Sequence, residues 1–302
     1  MRNDASVALQ PMTPSAPVDP PAYAQDGYLI VPGLFSGADC AAMQAESVAV
    51  CRGERGQVSG LEPALPGQGE RDLLARAMVC IMVHKLDSAF ARWMRDPRLV
   101  SVLTQLIGPD VKAVHSQLYF KHAGMPGNAW HQDELFLPTR DRSLVTAWIA
   151  LEDAHIANGC LNVIPGSHRP SILWPMRRHN NPDLDRAEEA YGFPQDATQA
   201  VALEVSAGSV IFFDGYLLHS SFPNRTADGF RRALLYVYCS AHSTVAFDPT
   251  SYQASARDYR DIVMVAGQDP YAWKGIQPLG VPSMRKAGAT GADLALAAAR
   301  SA

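Results

Sequence analysis

The chain has 302 residues, of which 47% are hydrophobic and 19% are charged, and its formal net charge is −4. This composition is typical of a globular protein, and the lack of a basic cluster argues against nucleic acid as a partner. No apolar run approaches the ~20 residues of a membrane span, so we expect no membrane partner. The five cysteines are scattered and odd in number, which predicts a reduced, cytoplasmic protein.

The two ends of the chain differ in composition from its body. Residues 1–20 are rich in Pro, Ala and Ser, which predicts a disordered tail, and the Ala-rich residues 286–302 are predicted to form a second, flexible tail. Residues 21–285 are then expected to form one domain. Within it, Ser36 followed three residues later by Asp39 has the pattern of a helix N-cap, which predicts a helix through about Val50.

Three further segments precede the first predicted strand. Residues 53–70 are rich in Gly and Pro and are predicted to form a mobile loop. Residues 73–86 and 89–106 have helical periodicity, and Gly108-Pro109 ends the second of these helices. We therefore expect a group of helices in the first third of the chain.

From about residue 111 the pattern changes to strands separated by Gly, Asn and Pro. Runs rich in β-branched and aromatic residues predict strands at 114–121, 144–151, 208–215 and 231–238. Strands that follow a group of helices indicate a mainly β fold, a sandwich or barrel with flanking helices. The polar residues 172–198 are predicted to be a long insertion that forms, with the 53–70 loop, the entrance to a site.

A candidate metal site comes from the run Trp130-His131-Gln132-Asp133. Residues i and i+2 of a strand point to the same face, so His131 and Asp133 can address one ion from one short strand. A third candidate ligand, His219, follows the predicted strand 208–215. Two His and one carboxylate on one face of an ion are the ligands of non-haem Fe(II) oxygenases, although a zinc hydrolase could use the same set.

A candidate anion site lies twelve residues after His219, where Arg231 opens the predicted strand 231–238. The planar guanidinium pairs with a carboxylate through two parallel hydrogen bonds, as a dicarboxylate cosubstrate requires. The neighbouring Arg232 remains an alternative for this role. In the predicted strand 114–121, the side chains at 115, 117, 119 and 121 share one face.

Together with the segments around them, these residues resemble the phytanoyl-CoA dioxygenase family of Fe(II)/2-oxoglutarate-dependent oxygenases. The resemblance spans roughly residues 22–245 and implies a double-stranded β-helix, the jelly-roll or cupin-like core of that family. It is carried by Trp130-His131-Gln132-Asp133, Trp148-Ile149-Ala150-Leu151-Glu152-Asp153-Ala154, Asn158-Gly159-Cys160-Leu161-Asn162-Val163-Ile164-Pro165-Gly166-Ser167-His168, His219, Asn224 and Arg231-Arg232-Ala233-Leu234.

The resemblance also implies roles for individual residues. It implies that His131, Asp133 and His219 bind Fe(II), and that Arg231 binds the distal carboxylate of 2-oxoglutarate. Residues that match the cosubstrate pocket of relatives are Gln117, Trp148 and Ser221. With O₂, such an enzyme oxidises an unactivated C–H bond and releases succinate and CO₂. Because Asp133 stands where related halogenases bind halide, hydroxylation or another oxidation is expected rather than halogenation.

The substrate is less well indicated. Four residues are expected to line its pocket, namely Tyr119, Lys121, Gln132 and Phe136. Because no Lys/Arg cluster suits the phosphates of coenzyme A, a small metabolite is favoured and acyl-CoA 2-hydroxylation is the alternative. A metal-binding module without catalysis is a third hypothesis. Such a module would not need all four of the polar residues His131, Asp133, His219 and Arg231. A zinc hydrolase would not explain Arg231 or the Pro-Gly-Ser-His segment. The sequence does not indicate the oligomeric state.

Overall fold

The structure, a computed structural model, describes residues 18–87, 89–185 and 188–286. Of the predicted tails 1–20 and 286–302, residues 1–17 and 287–302 lie outside these residues; within them, a helix capped by Asp19 begins at Pro20 and a strand extends to Lys286. In the described residues the α-helices are α1 Pro20–Asp26, α2 Gly37–Cys51, α3 Glu70–Ala75, α4 Phe90–Met94 and α5 Pro97–Leu106. None of them is both long and apolar enough to cross a membrane.

The strands of the described residues are mostly short, and the two longest carry much of the site. They are β1 Tyr28–Val31, β2 Ala77–Ile81, β3 Val111–His122, β4 Val145–Ala150, β5 Leu161–Val163, β6 Met176–Arg178, β7 Glu188–Ala190, β8 Val201–Leu203, β9 Val210–Asp214, β10 His219–Ser221, β11 Phe230–Ser240, β12 Phe247–Asp248, β13 Gln253–Ala254, β14 Val263–Ala266 and β15 Ser283–Lys286. The four runs predicted as strands correspond to β3, β4, β9 and β11.

The helices agree with the sequence only in part. The prediction for α2 is confirmed: the Ser36 side chain accepts the N–H of Asp39, and the Asp39 carboxylate accepts the N–H of Ser36. The predicted helix at 73–86 is wrong beyond Ala75, since β2 follows it; every residue of β2 is buried, and all but Met78 pair with β3 or β15. Pairing with β3 and β15 therefore outweighs the helical periodicity of this apolar run.

The predicted helix at 89–106 is divided into α4 and α5. Pro97 is the first residue of α5, and Asp96 caps it by accepting the N–H of Arg98. Proline is favourable in the first turn of a helix but disfavours helical backbone in the residue before it. The break therefore lies where the sequence Asp96-Pro97 requires it.

Two antiparallel sheets form the body of the fold. The larger has eight strands in the order β1-β9-β4-β11-β3-β2-β15, with β14 also paired to β3, and the smaller has the order β10-β5-β8. An isolated bridge between His131 and His219 extends the edge of the smaller sheet. One core of apolar side chains lies between the larger sheet and the helices, and a second lies between the sheets.

Strand β11 shows how the larger sheet separates these two cores. Leu234 and Tyr236 belong to the core on the helix side, whereas Ala233, Leu235 and Val237 belong to the core between the sheets. The Tyr236 hydroxyl donates to the carbonyl of Phe90, which ties the strand to α4. Because side chains alternate along a strand, the odd-numbered residues of β11 face the second sheet.

The 172–198 insertion folds back against the edge of the site. Its strands β6 and β7 form a hairpin, and its chain between them exchanges backbone hydrogen bonds with Gly127, which donates to Asp183 and accepts from Asp185. Gly127 also passes close to β10, since a Cβ built on it would lie 2.0 Å from the Ser221 carbonyl oxygen. The loop around Gly127 therefore positions both the insertion and the end of β10.

We expect Gly127→Ala to lower the free energy of unfolding by about 1–3 kcal/mol, because the added methyl group must displace the backbone of β10. Urea denaturation measures this loss. Gly37→Ala is the matched control, since a Cβ there meets no atom within 4 Å. Equal stabilities for the two variants would contradict the close approach of Gly127 to β10.

Candidate active site and metal centre

Three side chains from the metal-site prediction converge in the structure. The Asp133 Oδ1 atom lies 3.8 Å from His131 Nε2 and 3.7 Å from His219 Nε2. In the described residues this is the group of His, Cys, Asp and Glu side chains that could hold a metal ion, with its ligand atoms all within 4.8 Å of one another. Both histidines are buried and the carboxylate is partly buried.

Hydrogen bonds behind the three side chains orient them. His131 Nδ1 is 2.7 Å from the Ala129 carbonyl oxygen, and His219 Nδ1 is 3.0 Å from that of Leu217. A carbonyl oxygen can only accept, so each Nδ1–H donates to it, and Nε2 is the ring nitrogen turned towards the other ligands. The Thr146 hydroxyl donates to Asp133 Oδ2 at 2.7 Å, which leaves Oδ1 turned towards the imidazoles.

The backbone that carries the ligands is less regular than predicted. His131 and His219 exchange backbone hydrogen bonds of 3.0 and 3.1 Å, which hold the two rings side by side. Only this bridge residue of the 130–133 run is sheet, because Asp133 begins a 3₁₀ turn, Asp133–Leu135. The expected strand is therefore shortened, but the extended backbone of Gln132, with φ −129° and ψ 129°, preserves the i, i+2 relation.

A cavity of about 670 Å³ opens between the sheets around these ligands. Of the residues predicted for the site, those that line it are Gln117, Tyr119, Lys121, His131, Asp133, Phe136, Trp148, His219, Ser221 and Arg231. Gln132 is not among its walls, contrary to the prediction. Its amide instead donates to the carbonyls of Ile172 and Tyr216 and accepts the N–H of Trp174, so it fixes the insertion to the metal-ligand turn.

Two cationic side chains meet at one end of the cavity. Arg231 lies opposite Lys121 in the pairing of β11 with β3. Arg231 is 3% exposed, its Nε has no hydrogen-bond partner among the described residues, and its guanidinium lies 5.3 Å from the Trp148 ring centre. Burial lowers the pKa of Arg231 to about 10. A guanidinium buried without a counterion is costly, so this end of the cavity suits an anion.

Lys121 adds a second basic side chain at this end. Its Nζ donates to the Ser221 hydroxyl at 2.9 Å and to the Phe222 carbonyl at 2.6 Å. Burial, and after it the charge of Arg231, lowers the pKa of Lys121. Lys121 was predicted to face substrate, whereas the structure places it beside Arg231 and Ser221, two residues predicted for the cosubstrate.

The neighbouring Arg232 points away from the cavity. Its guanidinium forms an ion pair with Glu152 at 2.6 Å and donates to the Ser47 hydroxyl at 3.0 Å. The alternation of β11 sends this side chain towards α2, where its charge is neutralised. Arg231 is therefore the one of the two arginines that reaches the cavity.

The face of β3 that lines the cavity carries a row of hydrogen bonds. The Tyr119 hydroxyl donates to Gln117 Oε1 at 2.6 Å, and Gln117 Nε2 lies 3.0 Å from His115 Nε2. Burial lowers the pKa of His115 to about 4, so the ring is neutral near pH 7 and accepts from the amide. These hydrogen bonds orient Gln117. The sequence indicated such a row, because the side chains at 115, 117, 119 and 121 share one face of the strand.

The mouth of the cavity differs from the prediction in one respect. The 172–198 insertion contributes Met176, Arg178, Asp185 and Glu188 to the cavity wall, as expected of an entrance. None of the described residues of 53–70 lines it, so the prediction for that loop is wrong. The wall also includes Arg285 of β15, which sequence reasoning missed because no motif surrounds it.

Comparison with known proteins agrees with this arrangement. The phytanoyl-CoA dioxygenase (PhyH) family matches residues 23–233. The chain is 29% identical over 253 residues to the peroxisomal phytanoyl-CoA dioxygenase of Rattus norvegicus, which covers 80% of this chain and 73% of that protein. It is 30% identical over 253 residues to the ectoine dioxygenase of Bordetella parapertussis, with 78% of each chain covered.

Solved structures show the same fold. The apo form of the non-haem monooxygenase ThoJ superposes with a TM-score of 0.62 at 21% identity, over 93% of each chain. Apo EctD from S. alaskensis superposes with a TM-score of 0.60 at 22% identity, over 82% of this chain and 87% of that one. The predicted jelly-roll fold is thus confirmed, and the chain belongs to the phytanoyl-CoA dioxygenase family of Fe(II)/2-oxoglutarate-dependent oxygenases.

Proposed function

We propose that this protein uses Fe(II), 2-oxoglutarate and O₂ to oxidise an unactivated C–H bond of a small metabolite, most simply by hydroxylation. In this proposal His131, Asp133 and His219 hold the iron, and Arg231 holds the distal carboxylate of 2-oxoglutarate. The observation that carries the proposal is that one cavity contains both the three converging ligands and the buried guanidinium of Arg231, whose Nε has no partner among the described residues.

The residues present fit both groups. Two imidazole nitrogens and one carboxylate oxygen on the same side of a site suit Fe(II) and leave positions open for further ligands. A dicarboxylate can reach from these positions to the buried Arg231, whose fork-shaped guanidinium pairs with a carboxylate. The ammonium group of Lys121 and the hydroxyl of Ser221 are close enough to one another to share the same anion.

When bound, the iron supplies the oxidising chemistry by which a substrate C–H, 2-oxoglutarate and O₂ become a C–OH, succinate and CO₂. The protein's own side chains position the reactants. Trp148 packs beside Arg231 and forms part of the cosubstrate wall, with Leu161 and Leu235 nearby on the cavity surface. These apolar side chains exclude water from the ion pair between Arg231 and the 2-oxoglutarate carboxylate. The lower dielectric constant strengthens that ion pair. Because Asp133 fills the place that a halide would need, we expect no chlorinated product.

The substrate is proposed to be a small metabolite rather than an acyl-CoA thioester. Of the relatives named above, one is named for an acyl-CoA thioester and the other for ectoine, a small metabolite. Their identities to this chain are similar, so they do not separate the two substrate classes. Arg285 is ion-paired with Asp185, and Arg178 lies opposite Glu188 in the hairpin, whereas coenzyme A phosphates would require cations without such acidic partners. The cavity volume also lies within the range of small-molecule sites.

The cellular setting stays a prediction. All five cysteines are buried and free, which supports a reduced cytoplasmic location. The expectation that the protein acts on a small molecule, without nucleic acid or a membrane as partner, rests on the net charge and composition of the chain.

We expect His131→Ala and His219→Ala each to abolish succinate release and to weaken Fe(II) binding, because two ligands hold the ion far less tightly than three. Calorimetric titration with Fe(II) under anaerobic conditions measures binding, and circular dichroism checks the fold. His242→Ala is the control, since that side chain is exposed and pairs with Asp110. Full turnover by either ligand variant would refute the metal assignment.

We expect Thr146→Val to weaken Fe(II) binding about 10–100-fold, since the variant removes the hydrogen bond that orients Asp133. Thr146→Ser keeps the hydroxyl and should restore most of the affinity. Anaerobic titration of both variants tests this role, and equal affinities for the valine and serine variants would contradict it.

We expect Arg231→Lys to raise the KM for 2-oxoglutarate about tenfold or more, the ~1.4 kcal/mol expected when a charge-assisted fork is lost. Arg232→Lys is the matched variant on the opposite face of β11. It should leave this KM nearly unchanged and lower the thermal stability instead, because Arg232 pairs with Glu152. The reverse result would assign the cosubstrate to Arg232.

A further inference from the structure

Besides Arg231 and Lys121, the cavity wall carries a third buried basic side chain, Arg285. In the sheet, Arg285 of β15 pairs with Val79 of β2, and Val79 pairs with Tyr119 of β3. Directly paired residues share a face, so Arg285 points into the cavity together with these two side chains. Neighbouring strands are about 4.8 Å apart, so β15 lies about 14 Å from β11, the strand of Arg231.

Arg285 is ion-paired, but one of its donors has no partner among the described residues. It is 9% exposed, and its Nη2 forms an ion pair with Asp185 of the insertion. Its Nε–H is buried and has no acceptor among the described residues. A guanidinium offers two donors along one edge to a carboxylate, and Asp185 accepts from one of them, Nη2. This edge is therefore suited to an incoming acceptor.

The surroundings of Arg285 indicate the rest of the ligand. Strand β2, which pairs with β15, contributes three apolar side chains to the cavity wall beside it, Met78, Val79 and Ile81. The other arginine at the mouth, Arg178, is exposed. One buried guanidinium beside an apolar wall suits a single carboxylate on an apolar body, whereas a phosphate-rich group would need several cations.

We propose that Arg285 binds a carboxylate of the substrate, which takes the place of Asp185 on the guanidinium, and that the substrate is a free carboxylic acid with an apolar body. This inference rests on the proposed function, because it assigns the substrate end of the same cavity. The carboxylate anchors the substrate at β15, while Arg231 of β11, three strands along the sheet, holds the cosubstrate. A free acid and 2-oxoglutarate then bind together without competition.

The test compares acids with neutral analogues on the protein loaded anaerobically with Fe(II) and 2-oxoglutarate. The probes are octanoate and 4-phenylbutyrate, their primary amides and their CoA thioesters, and calorimetry measures each Kd. We expect the wild type to bind each acid at least tenfold more tightly than its amide and its thioester. Arg285→Gln should abolish that preference, whereas Asp185→Asn should tighten acid binding, because it removes the competing carboxylate.

Two controls separate this inference from a structural role for the pair. Arg177→Gln and Glu189→Gln break an ion pair on the same hairpin that does not line the cavity, and they should change none of the Kd values. If Asp185→Asn weakens acid and amide binding alike, the pair is structural and the proposal is overturned. A wild type that shows no preference for acids, or that prefers thioesters, also overturns it.

The same experiment distinguishes this inference from the proposed function. The Kd for 2-oxoglutarate is measured first, without any probe, for the wild type and for Arg285→Gln. Tight cosubstrate binding by both, with no preference for acids, would overturn only the role of Arg285. A wild type that binds no 2-oxoglutarate would instead overturn the proposed function and this inference with it.

Discussion

A guanidinium buried without a counterion in the described protein is the constraint on which the rest of the site depends. Arg231 is 3% exposed and lies beside a second cation, Lys121. A fold that only needed stability would neutralise such a pair, as it neutralises Arg232 with Glu152. The cost of burying Arg231 is offset when an anion binds, so the same interaction that lowers the stability of the unliganded protein favours the cosubstrate.

Because side chains alternate in the larger sheet, one strand, β11, both attaches the sheet to the helices and presents residues to the cavity. Even-numbered residues of β11, such as Tyr236, attach the sheet to the helices, and odd-numbered residues face the cavity. The helical layer therefore does not touch the ligands but holds the strand that carries Arg231. The smaller sheet adds His219, and its bridge to His131 joins two ligands that are far apart in the chain.

Much of the fold and of the site could be predicted from local patterns. Each of three features depends on only a few neighbouring residues: the cap at Ser36, the strands, and the spacing of His131 and Asp133. Prediction was wrong where distant partners decide the outcome. Residues 77–81 form β2 because β3 and β15 pair with them, and Gln132 turns to the backbone of the insertion instead of the cavity.

The sequence by itself determined the ligand types, the family and the presence of an arginine twelve residues after the second histidine. Only the tertiary structure decided that Arg231 faces the cavity, because the phase of a strand depends on which core its neighbours enter. The tertiary structure also brought the Thr146 hydroxyl to Asp133 and placed Arg285 on the cavity wall. No spacing in the chain encodes these contacts, since they join strands that pair only after the sheets have formed.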